Sequence, residues 1–152
     1  MSDPRCPDYT VVVPVEVMFR DIDAMGHLNN AVYLSYLEWA RTKYWLGLQK
    51  STDFWKIGFV VARAEIDYLS PAQICETLLI GIRTEEIGRK SFTFGYRVVA
   101  VGEGDGVRPV AQARTVQVLF DWNSRRSVPI DTDLRARIEE FEGRQISRPP
   151  RR

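Results

Sequence analysis

The chain has 152 residues, 45% of them hydrophobic and 27% charged, a balance that suits one packed core and excludes a disordered polymer. Its formal net charge is +1, so no global basic field points to nucleic acid and no acidic field to a cationic partner; an anion would need a local cluster. No apolar run approaches the length of a bilayer crossing, and the opening MSDPRCPDYT lacks the basic start and apolar stretch of a signal peptide, so a cytoplasmic chain that binds no membrane is expected.

Residues 10–20 read as a strand: Val11, Val13, Val15, Val17 and Phe19 alternate with Val12, Pro14, Glu16 and Met18. Pro14 cannot donate to a ladder and places this strand at a sheet edge or a bulge. Residues 21–30, rich in Asp, Gly and Asn, break the pattern and read as a structured loop, with Asn29 or Asn30 able to cap the helix that follows. From 31 to about 46, Tyr33, Leu37, Ala40, Tyr44 and Leu48 form one helical stripe flanked by Leu34 and Trp45; Glu38, Arg41, Thr42 and Lys43 are polar, and Gly47 is a candidate stop. A helical turn is expected over 51–57.

After Gly58 the period changes to two. Strands are expected over 59–69, ended by Ser70-Pro71, over 76–87, ended by Gly88, over 90–101, and over 109–122. The glycines at 102, 104 and 106 make a hairpin loop, since no helix follows to turn them into a nucleotide loop. An amphipathic helix over 131–141 stops at Gly143, and one domain is expected over 1–145, with 146–152 a disordered tail. Strand, long helix, then about four consecutive strands imply an α+β fold whose helix buries its stripe on one face of an antiparallel sheet of about five strands.

The loop DIDAMGHLNN concentrates the chemistry: two carboxylates, one imidazole and two carboxamides lie within ten residues between a strand and a helix. His27 is the only histidine, and the two cysteines, Cys6 and Cys75, are isolated, so a metal site of the usual zinc kind is not expected. Without a G-x-S-x-G segment, an α/β-hydrolase serine is not supported.

The segment V-x-V-x-F-R-D-I-D-A-M-G-H-L-N-N-A-V-Y-L-x-Y-L-E-x-A-R resembles the signature of hot-dog-fold thioesterases of the 4-hydroxybenzoyl-CoA thioesterase type, with related versions in bacterial acyl-CoA and plant acyl-carrier-protein thioesterases. Glu65-Ile66-Asp67-Tyr68-Leu69-Ser70-Pro71-Ala72 and Ile87-Gly88-Arg89-Lys90-Ser91-Phe92 resemble two further motifs of that family. The resemblance implies a long helix wrapped by a curved antiparallel sheet, homodimers joined edge to edge with sites at the subunit interface, and dimers paired into tetramers.

It also implies roles. Asp23 matches the family's catalytic carboxylate, as nucleophile or as general base. The backbone N–H of Asn30, at the positive end of the helix, would face the thioester carbonyl, with Gly26 letting the loop close tightly. His27 is either catalytic, as in the carrier-protein enzymes, or a structural loop residue. Met25 stands where the plant enzymes carry Asn, so their full catalytic set does not transfer. Substrate contacts are expected from Gly26, Asn29, Tyr33, Glu65, Arg89, Lys90 and Ser91, the basic pair facing coenzyme A phosphates and Glu65 facing the partner's site. Asp21 reads as a structural residue. No cofactor is expected, coenzyme A being part of the substrate. Three functions stay open: hydrolysis of acyl-CoA, hydrolysis of carrier-protein thioesters, and acyl-CoA binding without catalysis.

Overall fold

A computed structural model describes residues 2–53, 58–104 and 106–150. The first strand, β1 (Val11–Glu16), is shorter than its alternating pattern suggests. The chain leaves the sheet after Glu16 because Asp21 offers the backbone another partner: its carboxylate accepts from the Met18 N–H at 3.2 Å, and its own N–H donates to the Met18 carbonyl at 2.9 Å. That local capture makes a single 3-10 turn over Phe19–Asp21 in place of two more strand pairs.

The long helix α1 spans Asn30–Gln49 and ends on Lys50, which adopts φ 50°. Gly47, expected to stop it, lies inside it. A Cβ there would meet the ring of Phe141 at 3.2 Å, so this glycine lets a second helix approach closely. The stripe Tyr33, Leu37, Ala40, Tyr44 and Leu48 is buried as its spacing requires; Trp45 joins it, and Leu34 remains exposed. Arg41, one of the polar residues of this helix, is also buried, and it donates to the Tyr96 hydroxyl at 3.4 Å. Ser51–Asp53 has no regular structure, and the rest of the helical turn expected there lies outside the described residues.

Four long strands follow: β2 (Phe59–Tyr68), β3 (Thr77–Ile87), β4 (Ser91–Val101) and β5 (Val107–Asp121), then the two-residue β6 (Arg126–Ser127), which periodicity could not register. All pairings are antiparallel, in the order β1-β3-β4-β5-β2, with β6 attached to β5. The fold is therefore the α+β hot-dog arrangement, with β1 and β2 at the two edges. Pro14 sits on an edge strand, where its missing N–H breaks no ladder.

Alternation along the strands separates two apolar clusters. One face (Leu78, Ile80, Ile82, Phe92, Phe94, Tyr96) closes on α1, where Trp45 stacks 5.8 Å from Phe92 and Tyr44 meets Phe94 edge-on at 4.7 Å. On the opposite face, Cys6 and Tyr9 of the N-terminal arm cover Val12, Leu79 and Val99. The Tyr9 ring lies so close over Gly81 that any side chain there would collide with it, at 2.6 Å.

The last helix, α2 (Thr132–Glu142), is capped by Asp131 and ends at Gly143, φ 68°. The segment beyond it is not loose as expected: Ile146 is buried, and Ser147 forms a bridge with Glu86 while accepting from the Ile87 N–H at 3.0 Å. Bonds to α2 hold it as well: Ile146 N–H donates to the Glu139 carboxylate at 3.1 Å, and the Arg135 guanidinium donates to the Ile146 carbonyl. Among the described residues, no helix is long and apolar enough to cross a membrane.

Candidate active site

The loop from Asp21 to Asn29 is closed on itself. Asn29 N–H donates to the Asp21 carbonyl at 2.8 Å, Ile22 bridges Leu28, and Asp23 N–H donates to the His27 carbonyl at 2.8 Å. Gly26 stands at φ 78°, a conformation a side chain would strain, and its N–H reaches the Asp23 carbonyl at 3.0 Å. The Asp23 carboxylate completes the turn: Oδ1 accepts from the N–H groups of Met25, at 2.9 Å, and His27, at 3.3 Å. Among the described residues its second oxygen has no hydrogen-bond partner, and neither has the His27 imidazole.

Asn29 is the helix cap: its side chain accepts from Ala31 N–H at 2.9 Å and its carbonyl accepts from Val32 N–H at 2.9 Å. Between them the Asn30 N–H is left without a partner among the described residues, at the end of a twenty-residue helix where the dipole is positive.

Asp23, His27, Asn30 and Tyr33 line one cleft of about 270 Å³. Its facing wall is the end of β2 and the turn after it, Tyr68, Leu69, Ser70 and Pro71. In the sequence, Ser70-Pro71 marks only the end of a strand, and nothing there points to a cleft wall. Tyr68 packs edge-on against Tyr33 at 5.1 Å and donates to the Asn30 carbonyl at 3.0 Å. Burial, with the neighbouring Tyr68, raises the Tyr33 pKa. Arg108 knits the wall together, reaching the Ser70 hydroxyl and the Glu76 carboxylate at 2.6 Å each. The wall in turn holds the loop, since Leu28 N–H donates to the Ala72 carbonyl at 2.8 Å and His27 bridges Gln73.

The other expected contact residues lie elsewhere on the chain. Glu65 is paired with Arg63 and lines a second cleft with Ser91, Thr93, Arg114 and Glu86. Lys90 reaches the Ser127 hydroxyl at 3.3 Å. Arg89 lines a groove of about 480 Å³ with Arg135, Arg148 and the cap of α2. The fold does not bring these four to the Asp23 cleft. Among the described residues, no group of three or more His, Cys, Asp or Glu side chains could hold a metal ion.

A carboxylate with one oxygen unengaged, and an open N–H at a helix start, are the two functions needed to attack a carbonyl and hold the resulting oxyanion. Comparisons with known proteins lead the same way. The sequence profile of the thioesterase-like superfamily matches residues 17–138. The long-chain acyl-CoA thioesterase FadM of Escherichia coli is 30% identical over 132 residues, covering 84% of this chain and 96% of that one. A Thermus thermophilus thioesterase crystallised with coenzyme A and Zn superposes with a TM-score of 0.79 at 39% identity, covering 91% of this chain and 98% of that one. A 4-hydroxybenzoyl-CoA thioesterase mutant complexed with 4-hydroxybenzoyl-CoA shares the fold, with a TM-score of 0.72 at 19% identity over 86% of this chain and 96% of that one.

Proposed function

The chain belongs to the thioesterase-like superfamily, and from that premise we propose that it hydrolyses acyl-CoA thioesters to the free acid and coenzyme A, with Asp23 as the reactive carboxylate. The observation that carries this reading is the pairing in one cleft of Asp23, with an unengaged oxygen, and the helix start at Asn30. A thioester releases a thiol whose pKa is about 8–9, so the leaving group needs no strong acid. What the site must supply is attack and oxyanion stabilisation. Asp23 either attacks the carbonyl, forming an anhydride that water then opens, or takes a proton from an attacking water. The Asn30 N–H faces the developing oxyanion. His27, whose ring has no hydrogen bond among the described residues, can turn toward substrate, and Gly26, Asn29 and Tyr33 shape the cleft around the acyl group. Coenzyme A enters as part of the substrate, and no separate cofactor takes part.

The active species is a homodimer joined through β2, with dimers pairing again into a tetramer. β2 offers a ten-residue edge with exposed Val61 and Tyr68, beside exposed Leu69, and long open edges of this kind recruit another strand. Joining there would bring a second copy to the Tyr68–Pro71 wall. The cleft of Glu65 and Ser91 and the groove of Arg89 would then serve the partner's substrate, with Arg89, Lys90 and the neighbouring arginines suited to phosphate.

Release of free thiol from a panel of aromatic, short and long acyl-CoAs tests the reaction. Turnover that Asp23→Asn abolishes is expected, and it identifies the acyl class. No turnover on any ester would sink the proposal in favour of a carrier-protein substrate or a binding role. Light scattering should give two or four times 17.5 kDa; a single chain mass would overturn the interface.

A further inference from the structure

The loop that carries Asp23 is tied to the body of α1 by one side-chain pair. Tyr36 donates its hydroxyl to Asp21 Oδ2 at 2.7 Å, and among the described residues this is the only hydrogen bond between a side chain of this loop and a side chain of α1. Tyr36 lies six residues beyond Asn30, about 9 Å along the axis at 1.5 Å per residue. It therefore reaches back from the second turn of the helix to the loop's stem.

Asp21 is where the stem is fixed. Its carboxylate also accepts from Met18 N–H at 3.2 Å, where the chain leaves β1, and its carbonyl accepts from Asn29 N–H at 2.8 Å, at the helix cap. The side chain is only 14% exposed, and its one cationic neighbour, Arg20, stands 3.8 Å away with its own side chain 80% exposed. The phenol is thus the near, sheltered partner of this carboxylate. Two residues downstream of Asp21 is Asp23, and one beyond Asn29 is Asn30. A shift at Asp21 moves the carboxylate and the helix start relative to each other.

We infer that Tyr36 is a positioning residue: through Asp21 it sets the alignment of the Asp23 carboxylate with the Asn30 N–H, without itself touching substrate. The inference rests on the reaction proposed above. Burial, and then the Asp21 carboxylate, raise the Tyr36 pKa, so the phenol keeps its proton and stays a donor at any working pH. Misalignment of reacting groups by an ångström or less slows chemistry far more than it weakens binding.

Tyr36→Phe deletes one oxygen and keeps the ring. It should lower kcat about tenfold, on the scale of such misplacements, with KM within about twofold, and should speed amide exchange at Asn29. Asp21→Asn keeps an acceptor for the phenol and should retain most of kcat. The double variant Tyr36→Phe, Asp21→Ala should be no slower than the slower single, because both remove one link. A kcat within twofold of wild type in Tyr36→Phe, with Asp23→Asn inactive, overturns the positioning role and leaves the proposed reaction standing. If the unmodified protein cleaves no thioester, the reaction fails first; unchanged exchange at Asn29 in Tyr36→Phe then overturns the link itself.

Discussion

Two carboxylates at opposite ends of α1 show how one fold uses the same group in opposite ways. Glu142, at the end of α2, has a side chain only 1% exposed, and both its oxygens are engaged: Tyr44 hydroxyl at 2.7 Å, Thr84 N–H at 2.5 Å and Thr10 hydroxyl at 2.5 Å donate to it, with Arg144 at 3.8 Å. It joins α2 to α1, to β3 and to Thr10, the residue before β1. Asp23 is half-buried, accepts two backbone N–H groups on one oxygen, and lines an open cleft with the other unengaged. A fully satisfied, enclosed carboxylate has nothing left to offer a substrate. A half-satisfied one at a cleft does.

The comparison can be broken by exchanging readouts. Asp23→Asn should lower kcat by about 10²- to 10⁴-fold, the usual range for a general base, while the thermal midpoint stays within a few degrees. Glu142→Ala should do the reverse, costing about 3 kcal/mol because the Thr84 N–H loses its acceptor, the Thr10 hydroxyl loses its own, and the buried Tyr44 hydroxyl keeps only Thr84, with kcat retained in the folded fraction. Denaturant titrations beside kinetics read both. A large stability loss in Asp23→Asn, or an activity loss in folded Glu142→Ala, would erase the distinction.

A pH series sharpens the Glu142 side. Burial, and then the charge of Glu142, raise the Tyr44 pKa, and burial pushes Tyr96 up to about 12. In the unfolded chain both tyrosines ionise near pH 10. Above that pH the unfolded state sheds protons that the folded state keeps, so stability is full below about pH 10 and falls as pH rises toward the folded values, by up to about 1.4 kcal/mol per pH unit for each tyrosine. Urea midpoints between pH 8 and 12 should show this fall, and it should be shallower in Tyr44→Phe. The smallest effect is expected at the mouth of the cleft. Asn29→Ala removes the helix cap and should cost about 1 kcal/mol, together with a modest rise in KM as the helix start loosens; unchanged stability would mean that the loop's backbone bonds hold the helix end without the cap.

Legibility from sequence divides along similar lines. The glycine and asparagine spacing of DIDAMGHLNN announced a tight loop before a helix, and the structure has that loop, closed by its own backbone. The Ser70–Pro71 wall was missed because a strand stop and a cleft wall leave the same trace in a sequence. Asp21 reads from sequence as a structural residue, and its hydrogen bonds hold the stem of the loop; its partner Tyr36 is not singled out by the helical pattern, since a phenol's hydroxyl cannot be aimed from periodicity. Periodicity marks Arg41 only as polar, for a similar reason. Its place on the helix adjoins the buried stripe, but only the Tyr96 hydroxyl across the core, itself bonded to Thr115 at 2.8 Å, makes burial of a guanidinium tolerable.

The sequence alone determined what depends on neighbours along the chain: the period of each element, a helix cap at Asn29 or Asn30, the hairpin glycines, and the loop that holds Asp23. Tertiary structure decided what depends on residues brought from afar. It ordered the strands β1-β3-β4-β5-β2, left β2 as an open edge, anchored Ile146 against β3, kept Glu65 and Arg89 away from the Asp23 cleft, and enclosed Glu142 while leaving Asp23 at the surface. The physical reason is that side-chain spacing fixes which face of an element is apolar, whereas which faces meet is fixed by packing the whole core at once.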